Sequence, residues 1–96
     1  MGIEELLQDK REEILRIARK HGVNNVRVFG SLARGEAGPE SDVDLLVEIG
    51  TKHTPFFPGG LVAELENLLH RRVQVFTEQG IHWYIRDKVL QEAVPL

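Results

Sequence analysis

The sequence predicts a protein of mixed α and β structure, and three observations predict it. Apolar residues recur at helical spacing in three stretches, short runs rich in β-formers lie between them, and glycine or proline marks most of the junctions. At 96 residues, with 42% hydrophobic and 28% charged side chains, one ordinary globular domain over 1–96 is expected. A domain of this size buries roughly 60 to 70% of the surface its unfolded chain exposes, which supports one core and no second lobe.

The elements follow in order. From Ile3 to about His21, Leu7, Ile14, Ile17 and Ala18 share a helical face, and Gly22 stands where the helix stops. Val26 to Phe29 is too short for a stable helix and reads as a strand ending at Gly30. Ser31 to Arg34 has helix formers behind a Ser N-cap, and Gly35, Gly38 and Pro39 end it as a short helix or turn running into a loop. Val43, Leu45 and Val47 alternate with Asp42, Asp44, Leu46 and Glu48, the pattern of a strand with one apolar face and both aspartates on the other. Gly50 to Gly60 is a loop carrying a Phe56-Phe57 pair. Leu61, Leu65, Leu68 and Leu69 then mark a second helix, and Arg72 to Thr77 a third strand with Val73 and Val75 turned inward. Ile81 to Ala93 is a last helix, packed through Trp83, Ile85, Val89 and Leu90.

Composition narrows the function. A net charge of −3, with Lys and Arg interleaved among acids, gives no basic stripe, so direct nucleic-acid binding is not expected. Absence of cysteine removes thiol nucleophiles, disulfides and thiolate metal sites. The start MGIEELLQDK has no basic region followed by an apolar stretch, and no apolar run approaches the ~18 residues of a membrane span. The cytoplasm is the expected compartment.

Two neighbouring features carry chemistry. Gly30, just after a strand, lets backbone approach a ligand with no Cβ in the way, while Ser31 supplies a hydroxyl and, at a helix start, an N–H. Both suit a phosphate oxygen. Asp42 and Asp44, two apart on a strand, lie on one face ~7 Å apart along it, so both carboxylates can reach one metal cluster. Hard oxygen ligands select Mg²⁺ or Mn²⁺, and two such ions about 3.5 to 4 Å apart can align an oxygen with an α-phosphate and stabilise leaving pyrophosphate. Arg34 is a fork-shaped donor for triphosphate charge, or else pairs with Glu36, Glu40 or Asp42 to hold the loop.

The string Phe29-Gly30-Ser31-Leu32-Ala33-Arg34-Gly35, followed by Ser41-Asp42-Val43-Asp44-Leu45-Leu46-Val47-Glu48, resembles the signature of minimal nucleotidyltransferases, small members of the DNA polymerase β superfamily. The likeness continues more loosely through Phe56-Phe57 and the Leu-rich helix to the tail Glu92-Ala93-Val94-Pro95-Leu96. It implies an α+β fold with a small mixed sheet backed by helices, Gly30 and Ser31 on the triphosphate, and Asp42 and Asp44 as catalytic ligands of Mg²⁺. It further implies an antitoxin that silences a HEPN-domain ribonuclease by moving AMP from ATP to a tyrosine. The small size agrees with an acceptor that brings its own surface.

The family pattern has a third carboxylate on a later strand, where this chain has Arg72-Val73-Gln74-Val75. Parity puts Gln74 on the face of the aspartates. Its amide cannot serve as a general base or add negative charge to a metal site. Glu48 has the right parity but stands ~13 Å further along its strand than Asp44, and Glu78 lies beyond the third strand. The alternative expectation is therefore a nucleotide-binding module that neutralises its partner by binding, with little or no turnover. His21, His53, His70 and His82 show no short metal-binding spacing. Phe56-Phe57 and Trp83-Tyr84 read as core or partner contacts.

Overall fold

In the computed structural model the described residues are 3–36, 38, 41–50 and 57–96. Helices α1 (Ile3–Asp9) and α2 (Arg11–Lys20) lead into β1 (Val23–Phe29) and then β2 (Val43–Ile49). Next come α3 (Gly59–Leu69), β3 (Val73–Thr77), α4 (Trp83–Glu92) and β4 (Val94–Pro95). The four strands form one mixed sheet in the order β3-β2-β1-β4. β2 and β3 run parallel, as the intervening α3 allows, and the other two pairings are antiparallel.

One face of the sheet carries the main core. Val43, Leu45 and Val47 of β2 point there with Val23, Val26 and Val28 of β1 and Val73 of β3. Leu7, Ile14, Ala18, Leu61, Leu65 and Leu69 cover them from the helices. The strand alternation expected for β2 is thus present, yet Leu46 on the opposite face is fully buried as well. It belongs to a second cluster with Ile81 and Val89, against which Phe29, Phe76, Leu90 and Ala93 pack. Phe29 and Phe76 meet edge to face, with ring centroids 5.5 Å apart. The face of the aspartates is therefore roofed along part of its length by α4.

Three details depart from the sequence reading, and a fourth decides between two forms it left open. The first helix is interrupted at Lys10, whose φ of −100° and ψ of 8° place it between α1 and α2. No apolar side chain lies between Leu7 and Ile14 to hold a single straight axis on the core. β1 begins at Val23, because pairing with Ile49 and Glu48 across a register shift carries two asparagines of low strand preference into the ladder. Of the short helix or turn expected after Ser31, the structure has the turn, over residues 31–35. β4 was not expected from the sequence: two residues with a proline suffice only at a sheet edge, where Val94 and Pro95 pair with Val28 and Arg27.

The last helix also packs differently from its sequence reading. Val89 is buried, but Trp83 and Tyr84 are 78% and 77% exposed and Ile85 is exposed too. The pair contributes nothing to the core. His82 caps the helix, its Nδ1 accepting the Tyr84 N–H at 3.1 Å, which leaves both aromatic rings on the outer side. Phe57 packs against the main core, while Phe56 lies outside the described residues. Among the described residues no helix is long and apolar enough to cross a membrane.

Candidate active site

The site forms where β1 ends beside the start of β2. Phe29 is the cross-strand partner of Asp44, and Gln74 of β3 is its partner on the other side, so Phe29, Asp44 and Gln74 form a row across one face. Asp42 stands just before β2 and shares this edge: the Gln74 side-chain amide donates to Asp42 Oδ2 at 3.4 Å. The parity argument thus puts Gln74 where the structure has it, in contact with the acidic pair.

Gly30 turns the chain away from the sheet with φ +78°, a conformation that side chains with a Cβ resist. A Cβ on Gly30 would lie 2.5 Å from Asp44 Oδ2, so the glycine leaves room for the aspartate as well as permitting the turn. The turn is closed by the Arg34 N–H on the Gly30 carbonyl (3.1 Å) and the Glu36 N–H on the Ser31 carbonyl (2.8 Å). It sets Ser31 and Arg34 on the same edge as the carboxylates. The structure brings Gly30, Arg34, Asp42, Asp44 and Gln74 together at this edge, with Ser31 next to Gly30 in the chain.

One member was not read from the sequence. Glu92, the last residue of α4, accepts the Gly30 N–H on Oε2 at 3.0 Å and the Arg34 guanidinium on Oε1 at 2.6 Å. The Gly30 amide is thereby committed within the protein. The Arg34 Nε also donates to Glu36, at 2.9 Å, so of the loop partners foreseen for Arg34 only Glu36 recurs, while Glu40 lies outside the described residues. The sole sequence signal for Glu92 was its place in the tail; nothing in its spacing ties it to residue 30.

The electrostatics of the site follow. Burial raises the Asp44 carboxyl above its ordinary value, the neighbouring Asp42 charge raises it further, and Arg34 pulls it back. The Arg34 hydrogen bond, followed by that of the Gly30 amide, holds Glu92 below the usual carboxylate range. Two oxygen-bearing acids side by side, one of them resisting ionisation, form a donor set that a hard divalent cation fits and relieves. Among the described residues no group of three or more acids and histidines gathers to hold a metal. Asp42 and Asp44 are the residues of this edge that could hold such an ion. Glu48 is exposed near the far end of β2, and Glu78 is paired with Arg27 at 2.5 Å, so neither joins the pair. A groove of about 390 Å³ between Val47, Ile49, Gln79 and Arg86 lies at that far end too, away from the chemistry.

The fold and this acidic edge define a class, and the nucleotidyltransferase domain model matches residues 11–96. The chain belongs to the nucleotidyltransferase domain family and is a transferase of the minimal, protein adenylyltransferase-like kind. It is 39% identical over 88 residues to a protein of Methanocaldococcus jannaschii assigned as a protein adenylyltransferase, covering 92% of this chain and 95% of the relative. It is 35% identical over 92 residues to the protein adenylyltransferase MntA of Thermococcus cleftensis, covering 96% and 90%. A solved structure assigned as a minimal nucleotidyltransferase superposes with a TM-score of 0.84 at 44% identity, over 100% of this chain and 97% of the other. A toxin–antitoxin complex crystallised with AMP-PNP shares the fold, with a TM-score of 0.73 at 17% identity over 88% of this chain and 69% of that one.

Proposed function

We propose that the chain transfers AMP from ATP to a hydroxyl on a protein partner, with Mg²⁺ or Mn²⁺ on Asp42 and Asp44. The observation that carries this reading is the packing of Asp44 against the Gly30 turn, which sets that acid near Arg34 and the start of the Ser31 turn. Mg²⁺ bound there would neutralise phosphate charge and align the reacting groups. Ser31 and Arg34 would hold the triphosphate. The acceptor oxygen forms a bond to the α-phosphorus, the bond from that phosphorus to the bridging oxygen breaks, and pyrophosphate leaves. The acceptor's proton must go elsewhere than residue 74, whose amide takes none. A base on the partner, or solvent, is the destination consistent with this site.

The partner we infer is a HEPN-domain ribonuclease, with the chain as its antitoxin in the cytoplasm. Support comes from the MntA-named relative and from the toxin–antitoxin complexes that share the fold. Incubation with labelled ATP, Mg²⁺ and such a partner should label the partner. No transfer, or transfer undiminished in the Asp42→Asn Asp44→Asn double variant, would refute the enzyme reading. Gln74 on Asp42 favours a second reading, in which the chain binds nucleotide and neutralises its partner by masking alone. Neutralisation would then survive the double substitution.

A further inference from the structure

We propose that Glu92 is a positioning residue of the triphosphate site, holding Arg34 and the Gly30 turn from behind so that the guanidinium meets the phosphates already oriented. The proposal deepens the nucleotide reading and rests on it only for the identity of the ligand.

The local setting of Glu92 argues that it is there for tertiary reasons. It ends α4, where the negative pole of the helix disfavours an acid by roughly 0.3–1 kcal/mol. Its two oxygens are nevertheless both engaged, one on the backbone N–H that opens the turn and one on the arginine that ends it. A single carboxylate thus bridges the two ends of Gly30–Arg34. The stretch that bears it is fixed independently: β4 pairs with Val28 and Arg27, the Leu96 N–H donates to the Val26 carbonyl at 3.1 Å, and Arg11 Nε donates to the Leu96 carbonyl at 3.0 Å. The tail therefore transmits the position of the sheet to the arginine.

A carboxylate on an anion-binding group has two opposite interpretations, a competitor of the ligand or an anchor for the group that binds it. Depth separates them. The Glu92 side chain is 15% exposed and that of Arg34 41%, so the carboxylate lies inward and the guanidinium faces solvent in front of it. A phosphate arriving from solvent meets Arg34 without displacing Glu92. Guanidinium has five donors in a fixed plane; Glu92 takes one on Nη1 and the exposed Glu36 takes Nε, which leaves other Nη donors for an incoming phosphate. Freezing an arginine side chain costs about 2 kcal/mol of rotamer entropy, and an anchor already in place removes part of that from the binding step.

The experiment is a calorimetric cycle with inorganic tripolyphosphate, and separately with ATP and Mg²⁺, on the parent, Glu92→Gln, Arg34→Ala and the double variant. Gln keeps size and an acceptor oxygen for the Gly30 N–H but gives up the charge on Arg34. Glu92→Gln and Arg34→Ala should each weaken tripolyphosphate binding about five- to tenfold, and the double variant should bind within about twofold of Arg34→Ala alone. A merely structural role for Glu92 would give additive losses and overturn the proposal. So would Glu92→Gln binding as tightly as the parent or more tightly, the mark of a competitor. If Glu92→Gln does not fold, Arg34→Lys decides: lysine keeps the charge but lacks the planar fork that Glu92 orients, so it should bind tripolyphosphate more weakly than the parent, and parent-like binding refutes the anchor. A parent that binds tripolyphosphate but not ATP with Mg²⁺ refutes the nucleotide reading and leaves the Glu92 cycle to stand on its own result. A parent that binds neither refutes both.

Discussion

Replacing Gly30 with alanine tests the geometry on which the site depends. At φ +78° an alanine meets left-handed strain of roughly 1–2 kcal/mol. Its Cβ would also stand 2.5 Å from Asp44 Oδ2, forcing that side chain off its rotamer for roughly another 0.5–1.5 kcal/mol. The sum is about 1.5–3.5 kcal/mol, equivalent to a fall in Tm on the order of 6–28 °C for a domain of this size. Asp44→Ala separates the two contributions. The nearest remaining atom is then the Cβ of residue 44 at 3.5 Å, an ordinary contact, so in that background Gly30→Ala should cost only about 1–2 kcal/mol. Urea unfolding with a constant m-value measures both differences. Equal costs in the two backgrounds would show that residue 30 and Asp44 do not share space, and the site as described would fail. In the otherwise unchanged protein, Gly30→Ala should also reduce nucleotide transfer, because the displaced carboxylate is a metal ligand in the proposed reaction.

Three more outcomes follow from the same geometry. Because the folded-state pKa of Asp44 is raised, by burial first and Asp42 second, its ionisation weakens the fold as pH rises through that pKa. Asp44→Asn should therefore be more stable than the parent at pH 7, by up to about 1 kcal/mol after solvent screening, and the gain should vanish near about pH 3 in urea titrations. Gln74→Asp puts a third acid beside Asp42, so it should lower Tm without metal and show a larger Mg²⁺-induced rise in Tm than the parent; an equal rise would show that residue 74 does not face the metal. Trp83→Ser should change stability by less than about 0.5 kcal/mol whereas Leu46→Ala should cost about 2–5, since the former ring is 78% exposed and the latter side chain fully buried; comparable losses would contradict the packing of α4.

Much of this protein is legible along the chain because it depends on short-range rules. Alternation placed Val43, Leu45 and Val47 inward and Asp44 outward, helical spacing placed Leu61, Leu65 and Leu69 in the core, and parity put Gln74 on the face of the acids. Those periodicities are properties of backbone geometry and need no knowledge of neighbours. The Gly-Ser turn and the Asp-x-Asp pair stood close enough in sequence to be read together as one candidate site.

Tertiary structure alone decided what lies across the chain from them. Leu46 is buried because α4 happens to cover its face, and Trp83 is exposed because only the Val89 side of that helix meets the sheet. β4 exists because Val28 and Arg27 offer a free edge, which no preference of Val94 or Pro95 reveals. Glu92 is the sharpest case. An acid at a helix C-terminus is locally unfavourable, and only the approach of two groups about sixty residues away in the chain, the Gly30 amide and the Arg34 guanidinium, satisfies it. The sequence by itself determined which residues are candidates to hold phosphate and metal, since residue type and local spacing carry that chemistry. Which carboxylate holds Arg34 and the Gly30 turn, and from which side, depended on the long-range contacts that the folded sheet creates.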